Sequence, residues 1–252
     1  MTHIRPARES DLPQVFDIFY VHEVGDEPRP PPKGDVLPAF RHELTTGSMV
    51  VGDEGGRILG FATVMARGHT TYLSELFVRP VAQSSGLGTA LLRWVFPPST
   101  GGHVRFTVSS TDFRAVSLYI RAGLRPQWPN FLLQADAPAP ERLPDTDVEV
   151  LEALLADRDM ARWDAEIGGR PRAVDHEYWV HVEGGVPLWF GRGGEVLGYG
   201  YVRPGVRSLW HPNLTVVGPV GARKEADAVA CVSAAVRWAS ARSQTICIDG
   251  PG

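Results

Sequence analysis

Cysteine is scarce in this chain: its 252 residues include two, Cys231 and Cys247. They lie far apart in apolar surroundings, which argues against a disulfide framework or a thiolate metal site and predicts two reduced core thiols. Long apolar runs are missing as well. No stretch of 18 apolar residues exists, so no membrane span is expected. The opening Met1-Thr2-His3-Ile4-Arg5-Pro6 lacks the apolar segment of a secretory signal. Basic residues form no block and the net charge is −4, which gives no footprint for nucleic acid. His176 and His181 are five apart and do not share a helix face, which argues against a metal site. These absences lead to the expectation of a soluble cytoplasmic protein without nucleic-acid or membrane partners.

What is present is patterned for two cores. Hydrophobic residues make up 43% of the chain, and its length suits two domains of roughly 100–150 residues. Ile4–Ala7 reads as a short strand. Ser10-Asp11 then caps a helix with apolar positions at Leu12, Val15, Phe16 and Phe19. The Pro28–Pro32 stretch forbids helix and central strand and predicts an extended loop. Val36–Leu44 suits a second helix. Strands over Ser48–Asp53 and Ile58–Met65 flank a turn at Glu54-Gly55-Gly56. Tyr72–Val78 is the next strand, and a helix over Thr89–Phe96 stops at Pro97-Pro98. His103–Ser109 alternates as a half-buried strand. Asp112 caps a further helix that Gly123 ends. Phe131–Gln134 is a last strand. Residues 136–147, rich in Pro, Ala and Asp, read as a linker between domains at 1–135 and 148–252.

The most informative segment is Tyr72–Val95. Between its strand and its helix lies Gln83-Ser84-Ser85-Gly86-Leu87-Gly88. Strand, Gly-rich loop and helix in that order gather backbone N–H groups around an anion at a helix N-terminus. Gly86 and Gly88 keep side chains out of the anion's way. The loop has no lysine and only two suitably spaced glycines, so it is neither a nucleotide phosphate loop nor a dinucleotide fingerprint. A pyrophosphate held by amides, with no obvious metal ligand, points to a phosphate-bearing cofactor used as a handle.

Gln83-x-x-Gly86-x-Gly88 after Glu75-Leu76-Phe77-Val78 resembles the R/Q-x-x-G-x-G/A motif of the GNAT superfamily of acyl-CoA-dependent N-acyltransferases. A second match lies downstream. Arg114-Ala115-Val116-Ser117-Leu118-Tyr119, followed by Gly123-Leu124, is similar to the family's A-x-x-L-Y-x-x-x-G-F helix and turn. The resemblance covers about residues 3–135, and the element order β-α-α-β-β-β-α-β-α-β matches. It implies an α/β (α+β by some schemes) fold built on a mixed, mostly antiparallel twisted sheet flanked by helices. It also implies N-acyltransferase activity with acetyl-CoA or another acyl-CoA as donor. The acceptor would be a primary amine on a small molecule or peptide, attacking directly in a ternary complex, since no cysteine lies in the first half to carry an acyl group. The runner-up is a non-catalytic acyl-CoA sensor or interaction module.

The resemblance assigns roles residue by residue. The amides of Gln83, Ser84, Ser85, Gly86, Leu87, Gly88 and Thr89 would hold the pyrophosphate. Leu76, Phe77 and Val78 would pair with the pantetheine arm as with an added strand. An amide near Phe77 would polarise the thioester oxygen. Ser117 is a cofactor hydrogen-bond partner or a solvated serine. Tyr119 is the general acid for the departing thiolate. Glu75 is a carboxylate in an otherwise apolar strand, expensive unless paired or wet. It is the general base, an anchor for the acceptor amine, or a salt-bridged residue. His22, Glu23 and Asp26 are alternative bases if the proline-rich loop covers the acceptor pocket. Asp112 stands where many relatives carry an asparagine; a carboxylate cannot donate and repels phosphate, so its expected role is helix cap. Trp128 either lines the acceptor pocket or serves a core or interface. The net charge of −4 suits a cationic acceptor.

The second half repeats pieces of the first. Gly56–Phe61 recurs as Gly194–Tyr199, an offset of 138, and Glu75–Val78 faces Asn213–Val216 at the same offset. Ala90–Trp94 recurs as Ala234–Trp238, offset by 144. The expectation is a tandem pair of GNAT-like domains. The second is degenerate, because Val217-Gly218-Pro219-Val220 carries no Gln-x-x-Gly-x-Gly. It would serve as scaffold, as a wall of the acceptor site or as a homodimer interface.

Overall fold

The computed structural model describes residues 2–97, 102–153, 157–204, 209 and 214–251. They form two compact units, Met1–Gln127 and Trp128–Gly252. The first runs β1 (His3–Pro6), α1 (Leu12–Val24), α2 (Pro38–Thr46), β2 (Ser48–Glu54), β3 (Arg57–Arg67), β4 (Thr70–Val78), α3 (Leu87–Val95), β5 (Val104–Thr107) and α4 (Phe113–Arg121). Strands β1 to β4 form an antiparallel meander and β5 adds parallel to β4, in the order β1-β2-β3-β4-β5. A parallel neighbour needs a crossover, which α3 supplies. One sheet face buries Val50, Ala62, Val64 and Leu73 with Leu91, Leu92 and Val95 of α3. The other buries Val51 and Phe61 with Leu12, Val15 and Phe16 of α1 and Phe40 of α2. Asp11 departs from its expected role as a side-chain cap of α1. It accepts the Arg8 N–H at 2.8 Å and two bonds from Arg5, which also reaches Asp53.

One irregularity in this sheet matters for the site. Val64 pairs with Leu73, but Thr63 pairs with Glu75, so Ser74 is an extra residue in β4. Leu73 and Leu76 both belong to the α3-side core. The bulge therefore leaves Ser74 and Glu75 together on the α1–α2 face, with Thr63 directly opposite Glu75.

The second unit runs β6 (Asn130–Asp136), β7 (Glu149–Glu152), α5 (Arg158–Gly168), α6 (Ala173–Glu177), a π-helical turn (Tyr178–Val182), β8 (Val186–Arg192), β9 (Glu195–Pro204), β10 (Thr215–Ala222), α7 (Glu225–Ser240) and β11 (Thr245–Pro251). Its sheet order is β6-β11-β10-β9-β8-β7. Leu188, Phe190, Leu197 and Val217 pack with Cys231, Ala235 and Ala239 of α7. Both cysteines are buried, as expected, and neither is in a disulfide.

Two expectations are corrected here. The strand expected to end the first domain forms, but it pairs with β11 from Asn130↔Pro251 to Asp136↔Thr245. The boundary therefore falls at Gln127 rather than 135. Residues 136–147 connect elements inside the second unit: the Ala137 N–H bonds Gln244 O, and Ala137 and Leu143 pack on its core. Strand pairing across more than a hundred residues leaves no local mark in sequence. The repeat also shifts. Gly60 pairs with Val78, whereas Gly198, at offset 138, pairs with Ala222. Val78 thus corresponds to Ala222 at offset 144, not to Val216, because β10 carries its own register shift between Val217 and Val220. Asn213, with Pro98 and Trp210, lies outside the described residues.

Candidate active site

A groove of about 440 Å³ opens in the first unit. Leu76, Phe77 and Val78 of β4 form one wall, Gln83, Ser84, Gly86, Gly88 and Thr89 one end, and Ser117, Leu118 and Tyr119 of α4 the other wall. Two left-handed residues, Ser84 (φ 62°) and Gly86 (φ 88°), shape the turn into α3. The first bond of that helix runs from Ala90 N–H to Gly86 O at 3.0 Å. The amides ahead of Ala90 thus have no helical acceptor, though Leu87 N–H reaches Ser85 Oγ at 3.4 Å and Gln83 N–H, expected to hold pyrophosphate, bonds Pro80 O at 3.3 Å.

Gly88 provides a test of fit. A Cβ there would stand 3.6 Å from Val78 Cγ2 and 3.8 Å from Leu118 Cδ2, ordinary contacts for the protein, but it would occupy the groove floor. The space is one that a diphosphate approaching open amides requires, so these residues fit the pyrophosphate of an acyl-CoA. Ser85 and Leu87 line nothing with their side chains. Ser85 Oγ donates to Ala82 O at 2.7 Å, and Leu87 is in the α3-side core. Their expected part is a main-chain one.

Asp112 caps α4 as expected, accepting the Arg114 N–H at 2.8 Å. The Arg114 guanidinium also binds it and holds its carboxyl below the usual range. Arg114 further donates to Gln83 Oε1 at 2.8 Å, tying α4 to the loop. His22, an alternative base, has Nε2 at 2.7 Å from the Val78 carbonyl oxygen, so that nitrogen is engaged by the main chain. Glu23 and Asp26 are exposed. Trp128 is 66% exposed and begins the second unit.

The Glu75 charge acts on Tyr119. Burial, then the Glu75 charge, push the Tyr119 phenol up to about 12, which keeps it protonated. Burial raises the Glu75 carboxyl well above its usual range, reinforced by Glu43 and Glu23. No arginine, lysine or histidine acts on it, so the salt-bridge role left open for Glu75 is not observed among the described residues. Its neighbour Glu43 went unnoticed in the sequence. Burial raises this carboxyl to about 7, against the Ser74 and Thr63 hydroxyls, which favour its charged form. A signal existed: Glu43 follows Phe40 by three residues and precedes Leu44 on α2, which places a carboxylate on the apolar face.

Among its described residues the second unit repeats neither half of this arrangement. In the first unit eight residues, 79–86, separate β4 from α3; between β10 and α7 there are two, Arg223 and Lys224. The correspondence is secure, because Arg79 N–H bonds Leu59 O and Arg223 N–H bonds Leu197 O. At offset 138, Phe61 and Thr63 become Tyr199 and Tyr201. Both tyrosines are buried, with Asp164 and His176, in one closed network. Arg172 donates to both oxygens of Asp164 at 2.6 and 2.8 Å. His176 lies 2.9 Å from Asp164 and 2.7 Å from the Tyr201 hydroxyl, and Tyr199 donates to Asp164. Burial alone would raise Asp164; the Arg172 and His176 hydrogen bonds instead hold it well below the carboxylate range.

A model of the "Acetyltransferase (GNAT) domain" family matches residues 35–132. The peptidyl-lysine N-acetyltransferase YiaC of Escherichia coli K12 is 27% identical over 123 residues, 48% of this chain and 81% of that protein. A putative acetyltransferase from Pyrococcus horikoshii superposes with a TM-score of 0.65 at 16% identity, covering 98% of this chain and 79% of its own. A tandem GNAT protein from the clavulanic acid biosynthesis pathway gives 0.62 at 13% identity, covering 99% of this chain and 90% of its own. At such identities the two structures speak for the fold. Residues 35–132 of this chain thus match the GNAT acetyltransferase domain, and both units have the fold of the tandem GNAT structure.

Proposed function

We propose that the first unit transfers an acyl group, acetyl foremost, from acyl-CoA to a primary amine by direct attack. One observation carries this reading: a single groove runs from the open amides of α3 along β4 to Tyr119, with Glu75 one residue beyond its wall at Leu76. The acyl donor supplies an activated carbonyl. Main-chain groups of Leu76, Phe77 and Val78 hold its arm as an added strand, and an amide near Phe77 polarises the carbonyl oxygen. Glu75 accepts a proton from the attacking nitrogen as the N–C bond forms. Tyr119, firmly protonated, gives its proton to sulfur as the C–S bond breaks. The amine side chain of a lysine, the acceptor in the YiaC relative's name, is one amine of the required kind. The second unit is a scaffold without donor binding of its own.

The test is thiol release from acetyl-CoA with a panel of primary amines, for the wild type and Tyr119→Phe. Loss of the proton donor is expected to lower kcat by about 10²–10⁴-fold while acetyl-CoA affinity stays within roughly twofold. Unchanged kcat would remove Tyr119 from the acid role. Binding without turnover on any amine would favour a sensor.

A further inference from the structure

The open edge of β4 carries a contact that the proposed acyl transfer does not use. Strand β5 accompanies β4 only from Thr70 to Leu73, so among the described residues the far half of β4 has no strand on that side. Phe77 lies opposite Phe61, and the Arg79 N–H bonds Leu59 O. Main-chain groups alternate sides along a strand, so Phe77 and Arg79 face β3, while Leu76 and Val78 turn their N–H and C=O to the open edge. Two side chains take Val78 O there. His22 of α1 has Nε2 at 2.7 Å from it, and Gln83 Nε2 donates to it at 3.3 Å. A carbonyl only accepts, so Nε2 carries the imidazole hydrogen; a carbonyl oxygen offers two lone pairs, and both are engaged. His22 is seated for this contact. Its ring packs on Phe77 at 5.4 Å, and Phe19 holds Phe77 in turn at 5.6 Å. His22, Val78 and Gln83 all line the groove.

We propose that His22 is a latch on the donor groove: an arm that joins β4 as an added strand gains the Val78 carbonyl only by displacing the imidazole. The proposal rests on the acyltransferase reading for calling that arm an acyl-CoA's. A chain added to a strand edge needs the carbonyls of that edge as acceptors for its own N–H groups. The imidazole is the partner that yields, because Arg114 pins the amide of Gln83 through a 2.8 Å bond to Oε1. Displacing the imidazole sets one hydrogen bond against the one gained, which holds donor affinity down. When the spent thiol leaves, the imidazole returns to Val78 O and speeds its release. His22 is thus a positioning residue that sets donor affinity through the β4 edge, not a proton acceptor.

The test sets two ligands against each other. Acetyl-CoA has the arm; adenosine 3′,5′-bisphosphate has phosphates and no arm. Each is titrated calorimetrically into the wild type, His22→Ala and His22→Leu, the leucine keeping apolar cover on Phe77 without an N–H. With Val78 O released, acetyl-CoA should bind both variants about three- to tenfold more tightly, the worth of one neutral hydrogen bond. The bisphosphate should bind all three proteins alike. Acetyl-CoA affinity that is unchanged or weaker in both variants would overturn the latch, because a plain wall residue gives that result. An equal gain for the bisphosphate would overturn it too, since His22 would then act at the phosphate end. The two ideas fail separately: acetyl-CoA bound by all three proteins without a gain sinks this proposal alone, and acetyl-CoA bound by none sinks the donor reading and the latch with it.

Discussion

Glu43 and Asp164 are half-buried and buried carboxylates with opposite surroundings, and their pH signatures have opposite signs. Glu43 is raised by burial to about 7 in the folded protein, above its ordinary 4.5. The folded state thus binds more protons, so its stability falls as pH rises from about 4.5 through about 7. The loss is on the order of 3 kcal/mol when complete. Glu43→Gln should flatten this slope, which urea titrations at pH 5 and pH 8 will reveal; an unchanged slope would mean that Glu43 is not desolvated. On the proposed mechanism Glu75 must be ionised to accept a proton, and burial raises its carboxyl well above the usual range. kcat/KM should therefore climb with pH above the ordinary carboxylate range, as that carboxyl ionises. It should show no fall attributable to Tyr119 below pH 10, since that phenol stands at about 12. Asp164 is held low, so its contribution is present above pH 4 and fades only in acid. Asp164→Ala strips a buried partner from Arg172, His176 and Tyr199 and should cost about 3–5 kcal/mol. A loss below 1 kcal/mol would show the network to be ornamental to folding.

At the scale of elements, the turn from β4 into α3 is the part whose geometry local sequence reveals best. Gly86 is left-handed and, on the proposed reading, Gly88 is bare for the diphosphate; both are visible in the spacing of two glycines between a strand and a helix. Gly88→Ala should fold normally, with a melting temperature close to wild type, because its Cβ meets only ordinary contacts. Acetyl-CoA affinity should fall at least about tenfold, as the methyl takes up groove floor. Unaltered affinity would place the phosphates elsewhere. Asp112 as the cap of α4 was legible for the same local reason. The bulge at Ser74 was not. It arises from how β3 and β4 register, and only that register sets Thr63 opposite Glu75 and brings both beneath Glu43. Glu43 itself was half-legible, as a charge on an apolar helix face; its carboxylate neighbour on a distant strand was not.

Across the whole molecule, one sheet plan is used twice and kept for different purposes. Repeated Gly-x-x-x-Gly strands and a repeated helix disclosed the duplication, because such patterns survive drift. The partner of β6 stayed hidden, since Asn130–Asp136 reads as a strand whichever sheet receives it. The proposal that the second unit binds no donor rests on loop length and side-chain size. Two residues between β10 and α7 leave no loop for a diphosphate, and the buried Tyr199 and Tyr201 stand where Phe61 and Thr63 stand in the first unit. No helix among the described residues is long and apolar enough to cross a membrane. The most direct test of the central claim is a calorimetric titration of the whole chain with acetyl-CoA, beside a Gly86→Glu, Gly88→Glu double variant. The account predicts one site per chain, lost in the variant. Two sites per chain, binding that survives the variant, or no binding at millimolar acetyl-CoA would contradict it.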